Sequence, residues 1–235
     1  MPLPPTLVLD LDGTLVDTAI DLVTTLNIIL AKEELAPVPL EQARSLIGHG
    51  AKALLLRGFA ANGIAQTPER IDALYDEFIA HYARHIADAS RPFPNVVNTL
   101  ERFAAAGWLL AVCTNKLEGL SRLLLDRLGL RHYFAAICGV DTVSAPKPDA
   151  RAFLETVARA GGDPADAVMV GDSETDIETA KAAGAPIVAV DFGYSTVPVR
   201  ALEPDRIISD FAELWEAVAA VRPAASLRPG DAPVP

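Results

Sequence analysis

The sequence predicts an α/β protein, a doubly wound (Rossmann-like) parallel sheet core with an inserted α-helical cap domain. Short apolar runs recur along the chain, and amphipathic segments separate them. Such runs suit strands that are buried on both faces, and their alternation with helices indicates βαβ units. Almost a hundred residues separate the first two strands. That distance is too long for an ordinary crossover, so it predicts an insertion.

The predicted strands of the core are short and apolar. They cover Thr6 to Leu11, Trp108 to Cys113, Phe134 to Gly139, Ala167 to Gly171, Pro186 to Val190 and, more weakly, Arg206 to Ser209. The predicted core helices are amphipathic, and a glycine follows each of them, as is common where helices end. They cover Asn95 to Ala106, Leu117 to Leu128, Asp149 to Ala160 and Asp176 to Ala183.

The long crossover is itself helical in pattern. Helices are predicted over Thr18 to Leu35 and Ala51 to Ala61, and a third starts at Thr67-Pro68-Glu69, a cap residue, a proline and an acid. Arg91-Pro92-Phe93-Pro94 is interpreted as the linker back to the core. The predicted division is 1–16 for the first strand and its loop, 17–91 for the cap domain, 92–222 for the rest of the core and 223–235 for a flexible tail.

Composition narrows the class of protein. Of 235 residues, 51% are hydrophobic and 22% charged, which is typical of a packed globular chain. The formal net charge of -11 argues against nucleic-acid binding, which needs a basic surface. No apolar run reaches the ~20 residues of a membrane helix, and the first residues lack a signal-peptide pattern. We therefore expect a cytoplasmic protein whose two cysteines, Cys113 and Cys138, are buried thiols.

Polar residues follow several of the predicted strands, where ligands bind in doubly wound sheets. Each motif alone is also compatible with a helix cap or a turn, but their joint appearance at successive strand ends favours a site. Strand alternation places Asp10 and Asp12 on one side, and two such close carboxylates repel unless a cation separates them. The motifs are Asp10-Leu11-Asp12-Gly13-Thr14, Thr114-Asn115-Lys116, Lys147-Pro148-Asp149 and Gly171-Asp172-Ser173-Glu174-Thr175-Asp176.

These four motifs, in this order, resemble those of the haloacid dehalogenase superfamily of phosphohydrolases. The resemblance covers nearly the whole chain, and the helical insertion after the first motif resembles that superfamily's C1-type cap. Within the superfamily, Thr114-Asn115-Lys116 and the cap sequence Arg44-Ser45-Leu46-Ile47-Gly48-His49-Gly50 resemble phosphoglycolate phosphatases most. The resemblance implies a phosphatase that forms an aspartyl phosphate and acts on a small organic phosphate monoester, with 2-phosphoglycolate as the expected substrate.

The resemblance also implies the roles of individual residues. Asp10 is expected to be the nucleophile and Asp12 the general acid and base. Lys147 is expected to offset the negative charge that builds up during transfer. A divalent metal, usually Mg²⁺, is expected on Asp10, the backbone carbonyl of Asp12 and Asp172, since hard cations prefer oxygen ligands.

Further residues are expected to surround these groups. Thr114 and Asn115 would hold phosphoryl oxygens, and backbone N–H groups around Gly13 would complete a phosphate cradle. Asp176 and Ser173 are expected to position metal-bound water from outside the ligand set.

The cap loop carries a hypothesis about specificity. Gly48-His49-Gly50 precedes a predicted helix whose first amides are free to receive an anion, and Arg44 and His49 are close in sequence. We hypothesise that Arg44, Gly48 and His49 bind the carboxylate of the substrate. The alternative is a tight turn between helices with solvated side chains.

Alternatives to this function remain within the same fold. They are a pyrophosphatase, a sugar-phosphate phosphatase and a phosphoglucomutase. A non-catalytic phospho-acceptor module, such as a receiver domain, is disfavoured by the long insertion and by Asp12, because an acid/base beside the acceptor speeds loss of the phosphoryl group. The expected partner is a small anionic phosphate ester, with no nucleic acid and no membrane, for a monomer or homodimer.

Overall fold

The computed structural model of the protein describes residues 3–44, 46–48 and 50–222. The predicted tail, residues 223–235, and His49 lie outside the described residues. In chain order the strands are β1 Thr6–Leu9, β2 Val16–Asp17, β3 Arg91–Pro92, β4 Leu109–Cys113, β5 Ala136–Cys138, β6 Ala167–Gly171, β7 Ile187–Val190 and β8 Arg206–Ile208. The helices are α1 Ala19–Lys32, α2 Leu40–Arg44, α3 Ala51–Ala61, α4 Pro68–Arg84, α5 Val96–Ala105, α6 Glu118–Arg127, α7 Ala150–Ala160, α8 Glu174–Ala183 and α9 Leu214–Val221.

Six parallel strands form the central sheet, in the order β5-β4-β1-β6-β7-β8. All four residues of β1 are buried, as are four of the five in β4 and all five in β6. The predicted α/β fold class is confirmed, because the sheet is parallel and helices connect its strands. Cys113 and Cys138 pair across β4 and β5, and both are buried free thiols, as predicted.

The structure shortens several predicted strands. The first was expected to reach Leu11, but it ends at Leu9 because the chain turns there: the backbone N–H groups of Leu15 and Val16 both donate to the Leu11 carbonyl. The segment interpreted as a linker also differs, since Arg91–Pro92 pairs with Val16–Asp17 in an antiparallel ribbon. The short helix α2 was not predicted.

Helices α1 to α4 occupy the chain between β2 and β3. The predicted start of α4 is confirmed: the Thr67 side chain accepts a hydrogen bond from Arg70 N, and Pro68 is the first helical residue. One face of α4 is buried at helical spacing, through Ile71, Leu74, Phe78 and Tyr82. None of the described helices is long and apolar enough to cross a membrane. The domain bounds 17–91 stay a prediction.

A buried carboxylate ties the start of this insertion to its end. Asp21, in the first turn of α1, is 5% exposed. Its oxygens accept hydrogen bonds from the backbone N–H groups of Ala89 (3.0 Å) and Ser90 (2.8 Å) and from the Ser90 hydroxyl (2.6 Å). Because Ser90 is fully buried, its two donors have no access to water. Asp21 therefore fixes where the chain returns to the sheet.

We expect Asp21→Ala to lower the free energy of unfolding by about 2–4 kcal/mol, because it leaves buried donors without their charged acceptor. Urea unfolding monitored by circular dichroism measures this change. The control is Asp72→Ala, which removes an exposed ion pair with Lys52 and should cost less than about 1 kcal/mol. Equal small effects of the two variants would show that the Asp21 contacts are not stabilising.

Candidate active site

The centre of the candidate site is a buried ammonium between two carboxylates. Lys147 Nζ lies 2.7 Å from Asp10 Oδ1 and 2.6 Å from Asp176 Oδ1. Asp10 directly follows β1, and Asp176 lies in the first turn of α8, just past β6. All three side chains are at most 10% exposed. The carboxyl ends of the neighbouring strands β1 and β6 thus bring two acids to one point, and Lys147 reaches them from the loop before α7.

Asp172 brings a third carboxylate to this point. It follows β6, and its Oδ1 accepts a hydrogen bond from the Thr14 hydroxyl at 2.9 Å. Its Oδ2 accepts another from Tyr194 N at 2.6 Å. One oxygen of each of Asp10, Asp172 and Asp176 lies within 4.8 Å of the others, so the three acids form one compact cluster.

The charges in this cluster oppose one another. Burial, and then the neighbouring carboxylates, raise the pKa of Asp10 to about 7, although Lys147 acts in the other direction. Burial, together with Asp176 and Asp10, raises the pKa of Asp172 to about 8. Burial by itself would lower the pKa of Lys147, but Asp10 and Asp176 overcome that effect and raise it. One ammonium does not offset three buried acids.

A divalent cation fits this cluster. Its three acids offer only oxygen ligands, which Mg²⁺ and other hard cations prefer. Although Asp10 Oδ1 is close to Lys147, it accepts no hydrogen bond of proper geometry from any described residue. A bound cation would therefore have Asp10 Oδ1 available as a ligand, and its charge would reduce the repulsion among the three acids.

The side chain of Asp12 points to a different set of donors. Lys116 Nζ donates to its Oδ1 at 2.9 Å and to its Oδ2 at 3.0 Å, and the Thr18 hydroxyl donates to Oδ1 at 2.8 Å. The carboxylate of Asp12 is 15% exposed. Its side chain is thus outside the carboxylate cluster, and the metal contact expected of its backbone carbonyl stays a prediction.

The loop after β4 fixes the position of the loop that carries Lys147. The Asn115 amide donates to the Lys147 carbonyl at 3.1 Å and accepts from Lys147 N at 3.0 Å. Asn115 was expected to hold phosphoryl oxygens, but in the structure its amide oxygen and one amide hydrogen already bind the backbone of Lys147. Thr114 lines the cavity beside the cluster, and its hydroxyl oxygen accepts from Lys116 N at 3.2 Å.

Gly13 allows the first loop to approach Asp172 closely. Its φ of +87° lies in the region that glycine tolerates best. A Cβ at this position would lie 2.6 Å from Asp172 Oδ2.

In the second acidic motif, the carboxylate of Asp176 accepts hydrogen bonds from Ser173 N (3.2 Å) and the Ser173 hydroxyl (2.7 Å). Ser173 therefore orients Asp176.

A cavity of about 310 Å³ opens over Asp10, Asp12 and Lys147. Its polar lining includes Thr114, Lys116 and Tyr82. The wall contributed by the helical insertion is mostly apolar, and its large aliphatic and aromatic members include Leu22, Ile47, Leu54, Phe78 and Ile79. The volume is near the lower end of ligand pockets, roughly 300–1,000 Å³, which favours a small-molecule substrate.

The residues of the cap loop are not all at this cavity. Gly48 lines it, as expected, and His49 is outside the described residues. Arg44 is not among the lining residues. Its guanidinium donates to Asp17 Oδ2 at 2.8 Å and lies 5.6 Å from the centre of the Tyr194 ring. Arg44 thus ties the end of α2 to β2, and its binding of a substrate carboxylate stays a prediction.

Sequence reasoning missed three residues around the site. Lys116 was noticed within its motif but received no role, and its position two residues after Thr114 was the available signal. Tyr82 belongs to none of the sequence motifs, yet its hydroxyl accepts a hydrogen bond from Lys116 Nζ at 2.9 Å. Tyr194 carries no local signal, but its hydroxyl donates to Asp17 Oδ1 at 2.7 Å and accepts from Thr18 N at the same distance.

Comparison with known proteins identifies the family. The model of the haloacid dehalogenase-like hydrolases matches residues 7–190, which include all four strand-end motifs. The chain belongs to this family. A phosphoglycolate phosphatase of Agrobacterium fabrum is 48% identical over 92% of this chain and 93% of its own length. One of Caulobacter vibrioides is 50% identical over 90% of both chains.

A solved structure extends the similarity to three dimensions. The crystal structure of a predicted phosphoglycolate phosphatase from Haemophilus somnus 129PT is 30% identical and superposes with a TM-score of 0.85. The superposition covers 91% of this chain and 97% of the Haemophilus chain. With relatives about 50% identical over most of the chain, this member of the haloacid dehalogenase-like hydrolases is a phosphatase.

We expect Gly139→Ala to lower kcat by roughly 10- to 100-fold, the effect of displacing catalytic groups by about 1 Å. A Cβ at Gly139 would lie 2.2 Å from Glu118 N and 2.6 Å from the Lys116 carbonyl, so the loop that carries Thr114 must move. Steady-state kinetics on a phosphate ester measures the loss. In the control, Gly119→Ala, the new methyl meets nothing within 4 Å and should leave kcat unchanged. Unchanged kcat in both variants would mean that the loop position does not limit catalysis.

Proposed function

We propose that the protein is a Mg²⁺-dependent phosphoglycolate phosphatase that works through an aspartyl-phosphate intermediate. The observation that carries the proposal is that Asp10, Asp12 and Lys147 line one cavity, with Asp172 and Asp176 clustered next to Asp10. A nucleophilic carboxylate, an acid/base and a cation are the three groups that phosphoryl transfer through a covalent intermediate requires. The names of the relatives support the substrate.

In the first step, a carboxylate oxygen of Asp10 attacks phosphorus and the bond from phosphorus to the ester oxygen breaks. Asp12 gives its proton to the leaving oxygen, so that glycolate departs as an alcohol. Lys147 Nζ, 2.7 Å from Asp10, offsets charge on the transferring group and keeps the nucleophile in position. The Thr114 hydroxyl, at the same cavity, donates to a phosphoryl oxygen.

In the second step, water attacks phosphorus of the aspartyl phosphate. Asp12, now ionised, takes a proton from that water, and the bond between phosphorus and the Asp10 oxygen breaks to release inorganic phosphate. Lys116 and Thr18 hold the Asp12 carboxylate in the orientation seen here. The two steps return both aspartates to their starting protonation states.

Asp10, Asp172 and the backbone carbonyl of Asp12 are the groups proposed to hold Mg²⁺. When bound, a divalent cation neutralises phosphate charge and lets an anionic nucleophile approach a dianion. Asp176, which is held by Lys147 and Ser173, is proposed to position a water molecule at that cation. Thr14 and Tyr194 N fix the orientation of Asp172 through one hydrogen bond to each of its oxygens.

The apolar wall of the cavity supports a second candidate substrate class. Phe78, Leu54 and Leu22 offer contact area that the two-carbon glycolate does not fill. Phosphate monoesters with a larger apolar group, such as an aryl ester, gain from burying that group against these side chains. Attack by Asp10 on phosphorus is the same for phosphoglycolate and for an aryl phosphate, so the two substrate classes differ only in the leaving group.

Steady-state kinetics with Mg²⁺ across a panel of phosphate esters tests the proposed function. Phosphoglycolate should have the highest kcat/KM, above sugar phosphates, pyrophosphate and p-nitrophenyl phosphate. Removal of the metal with EDTA should abolish turnover, and added Mg²⁺ should restore it. A higher kcat/KM for aryl or sugar phosphates would move the assignment to those classes, and full activity in EDTA would contradict the metal requirement.

Asp10→Asn should abolish turnover, with a loss of at least about 10⁴-fold, because an amide oxygen is too weak a nucleophile. The variant should fold, since it removes one of three mutually repelling carboxylates and keeps the shape of the side chain. Phosphate release and thermal unfolding measure the two properties. Asp88→Asn, at an exposed partner of His85, is the matched control and should retain wild-type activity. Substantial activity of Asp10→Asn would rule out this residue as the nucleophile.

A further inference from the structure

Lys116 places a positive charge beside Asp12, the residue proposed to protonate the leaving oxygen. Its Nζ lies 2.9 Å from Asp12 Oδ1, its side chain is 6% exposed, and it lines the cavity. Nζ contacts both Asp12 oxygens and the Tyr82 hydroxyl oxygen, and the neighbouring carboxylate favours the charged form of the lysine. A leaving group that is protonated by Asp12 therefore lies next to a fixed ammonium.

Tyr82 adds an unused hydrogen-bond donor at the same place. Its oxygen accepts from Lys116 Nζ at 2.9 Å, so its own hydroxyl hydrogen points elsewhere. Among the residues that the structure describes, that hydrogen has no acceptor, although the side chain is 1% exposed. Tyr82 lines the cavity from α4, opposite the loop that carries Lys116. A ligand in the cavity can supply the acceptor that this buried donor needs.

The other cations near the cavity are less well placed to meet a substrate carboxylate. Lys147 is held between Asp10 and Asp176, and Arg44 is paired with Asp17. Lys52, at the edge of the cavity, is exposed and pairs with Asp72. In 2-phosphoglycolate a single methylene separates the leaving oxygen from the carboxylate. Because Asp12 protonates the leaving oxygen, a carboxylate this close to that oxygen lies within reach of Lys116, which contacts Asp12.

We propose that Lys116 and Tyr82 form the subsite that binds the carboxylate of the leaving group. The tyrosine hydroxyl donates a hydrogen bond to the substrate carboxylate. The ammonium turns one of its two hydrogen bonds with Asp12 to the same carboxylate and keeps the other, which places the substrate carboxylate next to the acid/base. Specificity then comes from the loop after β4 and from α4 together. This inference rests on the proposed function, since it names the site that selects its substrate.

The test compares two esters that differ in the carboxylate, phosphoglycolate and ethyl phosphate. In Lys116→Met, the ratio of their kcat/KM values should fall about 10- to 100-fold, the range for losing a hydrogen bond to a charged group. Tyr82→Phe keeps the ring and its packing against Phe78, and should lower the ratio roughly 3- to 10-fold. Because Tyr82→Phe removes a single oxygen, it decides the matter if Lys116→Met does not fold.

Matched controls make the same changes elsewhere. Lys181→Met and Tyr133→Phe alter an exposed lysine and an exposed tyrosine hydroxyl, and both should keep the wild-type ratio. Arg44→Ala should also keep the ratio, since its partner is Asp17. A third ester, p-nitrophenyl phosphate, has a leaving group that departs without an acid, so it reports on damage unrelated to Asp12.

Three results would overturn the inference. Equal losses on phosphoglycolate and ethyl phosphate, with p-nitrophenyl phosphate spared, would mean that Lys116 only positions Asp12. Equal losses on all three esters would show a structural role. A collapse of the ratio in Arg44→Ala, with none in Lys116→Met, would return carboxylate binding to the cap loop. If the wild-type protein itself does not prefer phosphoglycolate over ethyl phosphate, the proposed substrate fails, which is a separate outcome.

Discussion

The site depends on the mutual repulsion of three buried carboxylates and on the one ammonium that partly offsets it. Asp10, Asp172 and Asp176 are concentrated at the carboxyl edge of β1 and β6, where a charge is costly unless it is paired. Lys147 pairs with two of them, and the remaining negative charge prepares the site for a cation. The same arrangement places a nucleophile, a charge-offsetting group and a metal cluster within one small volume. Loss of Lys147 would therefore disturb all three functions together.

Much of this arrangement was predictable from the sequence, for a physical reason. Parallel strands share one edge at their carboxyl ends, so residues that follow different strands meet whatever their separation along the chain. Asp10 and Asp172 are brought together in this way, and Lys147 joins them from the loop before α7. Local rules also sufficed for the start of α4, where Thr67 and Pro68 supply a cap and a fixed φ. Such features need only alternation, spacing and turn chemistry.

What the sequence did not reveal depends on contacts between distant segments. The partner of Arg44 is Asp17, 27 positions away, and no local pattern marks that pair. Tyr82 follows the buried periodicity of α4, so its hydroxyl is indistinguishable from that of any core tyrosine until Lys116 is placed beside it. Asn115 illustrates a further difficulty, because this motif residue lines the cavity, as a ligand-binding residue would, and also binds the backbone of Lys147. Motifs predict which loops lie close together, but the packing of distant segments determines which atoms are in contact.

The two-stranded ribbon of β2 and β3 has a consequence for how such proteins diversify. Val16 pairs with Pro92 and Asp17 with Arg91, so the chain leaves the sheet for the helical insertion and returns to it at neighbouring points. An element whose entry and exit are adjacent is exchangeable, since replacing it does not stretch the strands that carry Asp10. Chimaeras joined at this ribbon would take the reaction centre, together with Lys116, from one parent, and Tyr82 with the apolar wall of the cavity from the other.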